Sequence, residues 1–328
     1  DWAMPGVAAA AAGGHGALMI AAFLGTVISL ERAVALGRPW AYLAPALAGL
    51  GGMALLAAAP PVLAQALALA ASVVLAAASA AVLRRQMAPF TVVLATGALC
   101  WLAGNLTWLV NGLPAAAVHW WLAFLVLTIA GERLELTRFL PTPAVAQRIF
   151  FAIVGAILAG TTLGLVEPDA GLALFSAGLL ALALWLLRYD LARRNARQRG
   201  LTRFIALCLL AGYAWLACAG LMGLAGGFQP GHPWRDATLH AVGLGFVFSM
   251  IFGHAPIIFP AVLRVKIPWH PAFYLPLLVL HGSLALRVWG VLGDAFALRR
   301  EGALVNAVAL LLFIATLLAS VLRGARSP

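Results

Sequence analysis

The sequence predicts an all-α polytopic membrane protein with about eleven transmembrane helices. Three observations predict it. Of 328 residues, 64% are hydrophobic and only 9% charged, against about 25% charged in soluble domains. Apolar runs of about 20 residues, enough to cross the hydrocarbon core, recur from end to end. The basic residues also gather on alternate connections. A transmembrane β-barrel would show short alternating segments instead.

The spans follow in order. Span one is expected at 8–30, ahead of Glu31 and Arg32, and span two at 41–59. Pro60 and Pro61 separate it from span three at 62–83, which Arg84 and Arg85 close. Span four runs 89–111, and Pro114 introduces span five at 115–136. Pro141 and Pro143 break the chain before span six at 147–166; span seven follows at 169–188. The basic loop RYDLARRNARQRGLTR leads into span eight at 203–226, and Pro230-Gly231 ends that region. Spans nine, ten and eleven fall at 237–263, 271–292 and 302–322. Proline and glycine mark these breaks because one lacks an N–H and the other tolerates turn backbones.

Seventeen of the 21 Lys and Arg lie in or beside the loops after spans one, three, five, seven and nine or in the C-terminal tail. By the positive-inside rule that side is cytoplasmic, as is the C-terminus, in a multi-pass protein of a bacterial cytoplasmic (inner) membrane. The net charge of +11 therefore reflects topology, and nucleic acid is not an expected partner. Cys100, Cys208 and Cys218 fall inside apolar spans without metal-site spacing. No serine elbow, P-loop or dinucleotide fingerprint appears.

A weak repeat joins spans one, five and nine. Each has a histidine near its outer end: His15, His119 and His240. Spans one and five end inside on Glu31-Arg32 and Glu132-Arg133, and span nine on Arg264 and Lys266. They read as equivalent members of three four-helix units, 1–113, 114–231 and 232–328, within a single transmembrane domain.

Span nine carries two histidines, His240 and His254, fourteen residues apart. On an α-helix that is about 21 Å along the axis and about 40° around it. His15, His119 and His240 share an outer level. His254 and His281, the latter about ten residues into span ten, are expected to share an inner one. Ionisable residues inside the membrane are costly and are functional candidates by default, and neutral imidazole is the commonest ligand of iron and copper. Glycines beside His15, His240, His254 and His281 leave room for a flat macrocycle, while Pro256 and Pro260 are expected to kink span nine. Interhelical hydrogen bonding is the competing reading. For His119, beside Trp120 and Trp121, an aromatic-belt role competes with metal ligation; His232 and His270 read as loop residues.

Arg287 reads either as a snorkelling side chain or as a partner for a haem propionate. Asn105, Thr107 and Asn111 read as interhelical hydrogen-bonding groups. Glu31, Glu132 and Glu135 are expected to pair locally with Arg32, Arg133 and Arg138 rather than to open a proton path. Met19, Met222 and Met250 read as packing rather than as thioether ligands.

The segments GHGALMIAAFLGTV and LHAVGLGFVFSMIFGHAPIIFPAVL resemble parts of the NnrS family, haem- and copper-containing bacterial membrane proteins tied to nitric oxide metabolism. These are distantly similar to the catalytic subunit (subunit I) of haem–copper oxidases, whose second, sixth and tenth helices carry histidine ligands. The resemblance implies a pseudo-threefold arrangement with the first helix missing. It also implies a haem near the outer side held by His15 and His240. The sequence departs from the oxidase pattern: span six has no histidine, and the span-nine pair is fourteen residues apart instead of two.

The leading expectation is a haem-binding protein for electron transfer or nitric oxide handling. Its haem is expected to be b-type, with a second haem or a metal such as copper at His254 and His281. The expected partners are the lipid bilayer, other membrane subunits or a periplasmic electron donor. The alternatives are a cofactor-free accessory subunit of a larger membrane complex and a small-molecule transporter.

Overall fold

A computed structural model of the chain describes residues 13–138 and 143–326. The beginning of the expected first span and the Pro141 break lie outside them. Among the described residues, eleven helices are long and apolar enough to cross a membrane. They are α1 (Ala17–Leu36), α2 (Pro39–Leu56), α3 (Pro61–Arg85), α4 (Pro89–Asn111), α5 (Pro114–Thr137), α6 (Ala144–Leu163), α7 (Pro168–Tyr189), α8 (Gly200–Leu224), α9 (Arg235–Leu263), α10 (Pro271–Leu292) and α11 (Phe296–Ala325). Their exposed faces are rich in large apolar side chains such as Val110, Leu278 and Leu311, as a surface in contact with lipid requires. The chain is a multi-pass membrane protein.

Helix ends differ from the expected ones by several residues, for a physical reason. Apolar counting stops span one at residue 30, but α1 continues through Glu31 and Arg32 to Leu36. Gly37 then adopts the left-handed conformation (φ 64°), and its N–H caps the Ala33 carbonyl. Proline opens α2, α3, α4, α5, α7 and α10, since a first-turn residue needs no N–H partner.

The larger departure is inside two helices. Ala17–Leu24 of α1 and Ala241–Phe248 of α9 are π-helical, each eight residues long. A π turn closes i→i+5 hydrogen bonds, so it winds more slowly than an α turn. The 40° and 21 Å separations expected between His240 and His254 assumed α geometry throughout and do not carry across this segment.

The chain forms two compact units, one ending at Glu135 and the other starting at Leu136. In the first, α1–α5, small residues bring backbones close. A Cβ at Gly51 of α2 would come 3.3 Å from the Ala64 carbonyl of α3, and one at Gly97 of α4 would come 3.2 Å from the Thr128 hydroxyl of α5. Asn105 ties three of these helices together. Its amide donates to the Ala68 carbonyl of α3 at 3.0 Å, and its oxygen accepts from the Trp121 indole of α5 at 3.0 Å. This agrees with the interhelical role expected of Asn105. Thr107 and Asn111 instead bond within α4, to Ala103 and Thr107. In an Asn105→Ala variant the fully buried Trp121 N–H loses its acceptor. Stability is expected to fall by about 1–3 kcal/mol, read as a lower unfolding midpoint in detergent; an unchanged midpoint would refute the bridge.

In the second unit, α6 and α7 form a tight hairpin in which Gly160 lies against the Phe175 backbone and Gly171 against Gly164. Gly253 of α9 rests on Cys208 of α8, and Gly212 of α8 on Met250 of α9. Met250 is therefore a packing residue, as expected. α10 and α11 form a second hairpin, closed where Gly302 meets the Arg287 backbone and where Asn306 and Ser283 hydrogen-bond at 2.7 Å.

Candidate functional site

In each unit a histidine stands at the mouth of the π segment. His15 precedes Ala17–Leu24 by two residues, and His240 directly precedes Ala241–Phe248. π segments are rare and concentrate at functional sites. The third member of the expected repeat, α5, is α-helical throughout, so His119 lacks this feature. At the inner ends of α1 and α5, Glu31, Arg32, Arg133 and Glu135 lie near enough for their charges to act on Glu132.

The His240 ring has a defined orientation. Its Nδ1 lies 2.8 Å from the Asp236 carbonyl one turn earlier. A carbonyl only accepts, so Nδ1 carries the hydrogen and the lone pair sits on Nε2. The Asp236 carboxylate adds a second contact to the same nitrogen at 3.4 Å. A histidine that donates through one nitrogen and keeps the other basic is the arrangement found behind metal-bound imidazoles. His254 has the same form, with Nδ1 2.7 Å from the Met250 carbonyl. The space beside these rings differs. Among the described residues, a Cβ at Gly13, Gly16 or Gly243 would meet nothing within 4 Å, whereas Gly245 is filled by the Trp215 side chain and Gly253 by Cys208. Space is therefore open beside His15, beside His240 at Gly243 but not at Gly245, and beside His281 at Gly282, whereas the glycine beside His254 serves helix packing.

Asp236 is the centre of an ionic cluster where α9, α10 and α11 meet. Arg287 of α10 grips it with a two-pronged fork, Nε to Oδ2 at 2.9 Å and a terminal nitrogen to Oδ1 at 2.6 Å. Arg299 of α11 stands farther off, 3.5 Å from Oδ2. Arg287, expected as a snorkelling side chain or a propionate partner, thus has its guanidinium committed to a carboxylate of the chain itself.

His281 departs from the expected depth. Its Nδ1 accepts from the Trp215 indole of α8 at 2.9 Å, and its Nε2 is 3.5 Å from the Ser249 hydroxyl of α9. Ser249 stands five residues before His254, about 7.5 Å along the helix, so His281 lies opposite Ser249 rather than His254. The lone pair of neutral His281 is thus engaged by Trp215, and its other nitrogen carries the hydrogen. The sequence reading missed both this contact and the Asp236 cluster.

The remaining histidines divide clearly. His119 sits half-buried in α5, the most enclosed of the spans. Its neighbour Trp121 is fully buried and bonded to Asn105, so it is a core residue and not part of an aromatic belt. His232 accepts from the Trp234 N–H at 3.1 Å, and His270 caps the short turn before α10 through the Ala272 N–H, both local loop roles as expected. Among the described residues, no three His, Cys, Asp or Glu side chains converge in a way that could hold a metal ion. The three-ligand set that a copper centre calls for is not assembled by them.

No curated protein and no solved structure matches the chain. The likeness to the NnrS family remains a likeness of two short histidine-bearing segments. Over residues 1–322 the sequence fits the family model described as Domain of unknown function (DUF8744), and this membrane protein of at least eleven candidate spans belongs to that family.

Proposed function

We propose that this protein is a b-type haem-binding membrane protein for electron transfer or nitric oxide handling, with His15 and His240 as its ligand candidates. The observation that carries the reading is the recurrence of one motif in both units: a histidine at the mouth of an eight-residue π segment inside a membrane span. Three features support it. The His240 hydrogen is held by the Asp236 carbonyl, which leaves Nε2 as the basic nitrogen. Among the described residues, no atom crowds the positions beside Gly13, Gly16 and Gly243. The Asp236 carboxylate beside the ring strengthens an imidazole as a donor. When bound, haem would supply a one-electron iron centre, and the chain would orient it and keep it out of bulk water.

The test is the visible spectrum and haem content of the full chain purified from haem-replete cells. A Soret band with haem near stoichiometric is the expected result. A colourless protein overturns the reading. Adding nitric oxide to the reduced protein separates the two roles: a shifted Soret band marks a displaceable ligand and nitric oxide handling, and an unchanged band marks electron transfer.

A further inference from the structure

At the end of the second unit where α9 begins, a cleft of about 250 Å³ is lined by Pro233, Gly290, Val291, Asp294, Phe296 and Arg299. It is smaller than the pockets that take drug-sized ligands, about 300–1,000 Å³, and suits a small polar molecule. Its two charges are of opposite sign and do not neutralise each other. Among the described residues Asp294 makes no ion pair or side-chain hydrogen bond, although Arg299 lines the same cleft five residues on. Asp294 is also held in the left-handed conformation (φ 52°), where a non-glycine residue is uncommon. It sits in the tight turn whose Ala295 N–H bonds back to the Gly290 carbonyl at 2.8 Å.

Arg299 is available for a second partner. It is 3.5 Å from Asp236, whereas Arg287 holds that carboxylate at 2.6 and 2.9 Å. A ligand can recruit Arg299 without breaking the Arg287 fork. Phe296, another lining residue, opens α11 between Asp294 and Arg299. The cleft therefore offers Arg299 to an oxyanion and Asp294 to a cation, with Val291, Phe296 and Pro233 as its apolar lining.

We propose that this cleft binds a small zwitterion, its ammonium group on Asp294 and its anionic oxyacid group on Arg299. The chemistry is shared by the aminoalkyl-phosphate headgroup of a phospholipid and by a free amino acid. The inference is independent of the haem reading, since it uses neither His15 nor His240.

The test is calorimetric titration of the full chain in a phospholipid-free maltoside detergent. The probes are glycerophosphoethanolamine and glycine as zwitterions, glycerophosphoglycerol as the anion alone, and ethanolamine as the amine alone. At least one zwitterion is expected to bind saturably, about tenfold or more tighter than either single-charge probe, because each end contributes a charge-assisted contact. Asp294→Asn and Arg299→Gln should each weaken it about tenfold while leaving the unfolding midpoint unchanged, as both side chains are largely exposed. Equal binding of a single-charge probe, wild-type affinity in both variants, or no saturable binding by either zwitterion overturns the proposal. Repeating the titration in nanodiscs separates the sources. Suppression by phosphatidylethanolamine, but not by phosphatidylglycerol alone, assigns the cleft to the lipid headgroup. Persistence in both assigns it to the soluble amine acid.

Discussion

A His240→Ala variant of the purified protein is expected to lose haem, with Soret absorbance per protein falling about tenfold or more. The imidazole supplies the basic Nε2, and alanine supplies nothing in its place. The loss should be a ligand effect rather than a folding one, because His240 is only half-buried and its Nδ1 bond is made within its own helix. Free imidazole added to the variant should therefore restore part of the band. His15→Ala should lower haem content as well. His281→Gln is the control: its role is to accept from the Trp215 indole, which a glutamine oxygen can do, so the spectrum should stay as in the wild type. His232→Ala and His270→Ala should also leave it unchanged, since both rings serve loop backbone. If His240→Ala and His15→Ala together kept the wild-type spectrum, the ligands would lie elsewhere. If His281→Gln alone bleached the protein, the assignment of its lone pair to Trp215 would fail.

The parts of this structure that are legible in sequence depend on one-dimensional signals. An apolar run near 20 residues is such a signal, and the span count follows from it. Helix ends are not: α1 runs past Glu31 and Arg32 because Gly37, not charge, stops it. His240 and His254 stand out because a polar side chain in an apolar span is conspicuous. The π segment between them leaves no trace in residue type, and it removes the simple helical-wheel relation between the two rings. Counting from a span's end does not show that the His281 ring meets Ser249 and Trp215. Gly245, whose missing side chain leaves room for Trp215, is part of that arrangement, and no spacing announces it. The Asp236–Arg287 pair was within reach of the same counting. Asp236 stands one residue before span nine and Arg287 five residues from the end of span ten, so both belong near one level. A lone arginine in an apolar span calls for a carboxylate at its own depth.

That pair predicts the largest effect on stability. In Arg287→Ala the Asp236 carboxylate keeps only Arg299, at 3.5 Å, and the His240 ring as partners. Both members of the pair are mostly enclosed, 13% and 17% exposed, so water cannot fully replace the lost fork. Removing one partner of a buried ion pair leaves a poorly compensated charge, and the expected cost is about 3 kcal/mol, read as a lower unfolding midpoint in detergent. Arg287→Lys should fall between, since an ammonium keeps the charge but cannot match two carboxylate oxygens at once. Asp236→Asn combined with Arg287→Gln should recover much of the loss, because two neutral amides can pair without a stranded charge. The double-mutant cycle should return a coupling of about 2 kcal/mol. An Arg287→Ala protein as stable as wild type, or a cycle in which the two single effects simply add, would show that the fork does not hold the ends of α9 and α10 together. The same variants bear on His240 by a separate readout. Asp236→Asn keeps the backbone carbonyl that holds Nδ1 but removes the carboxylate 3.4 Å away. A haem-bound protein should therefore keep its Soret band and change its midpoint potential, while the stability effect of Arg287→Ala should appear whether or not haem is bound.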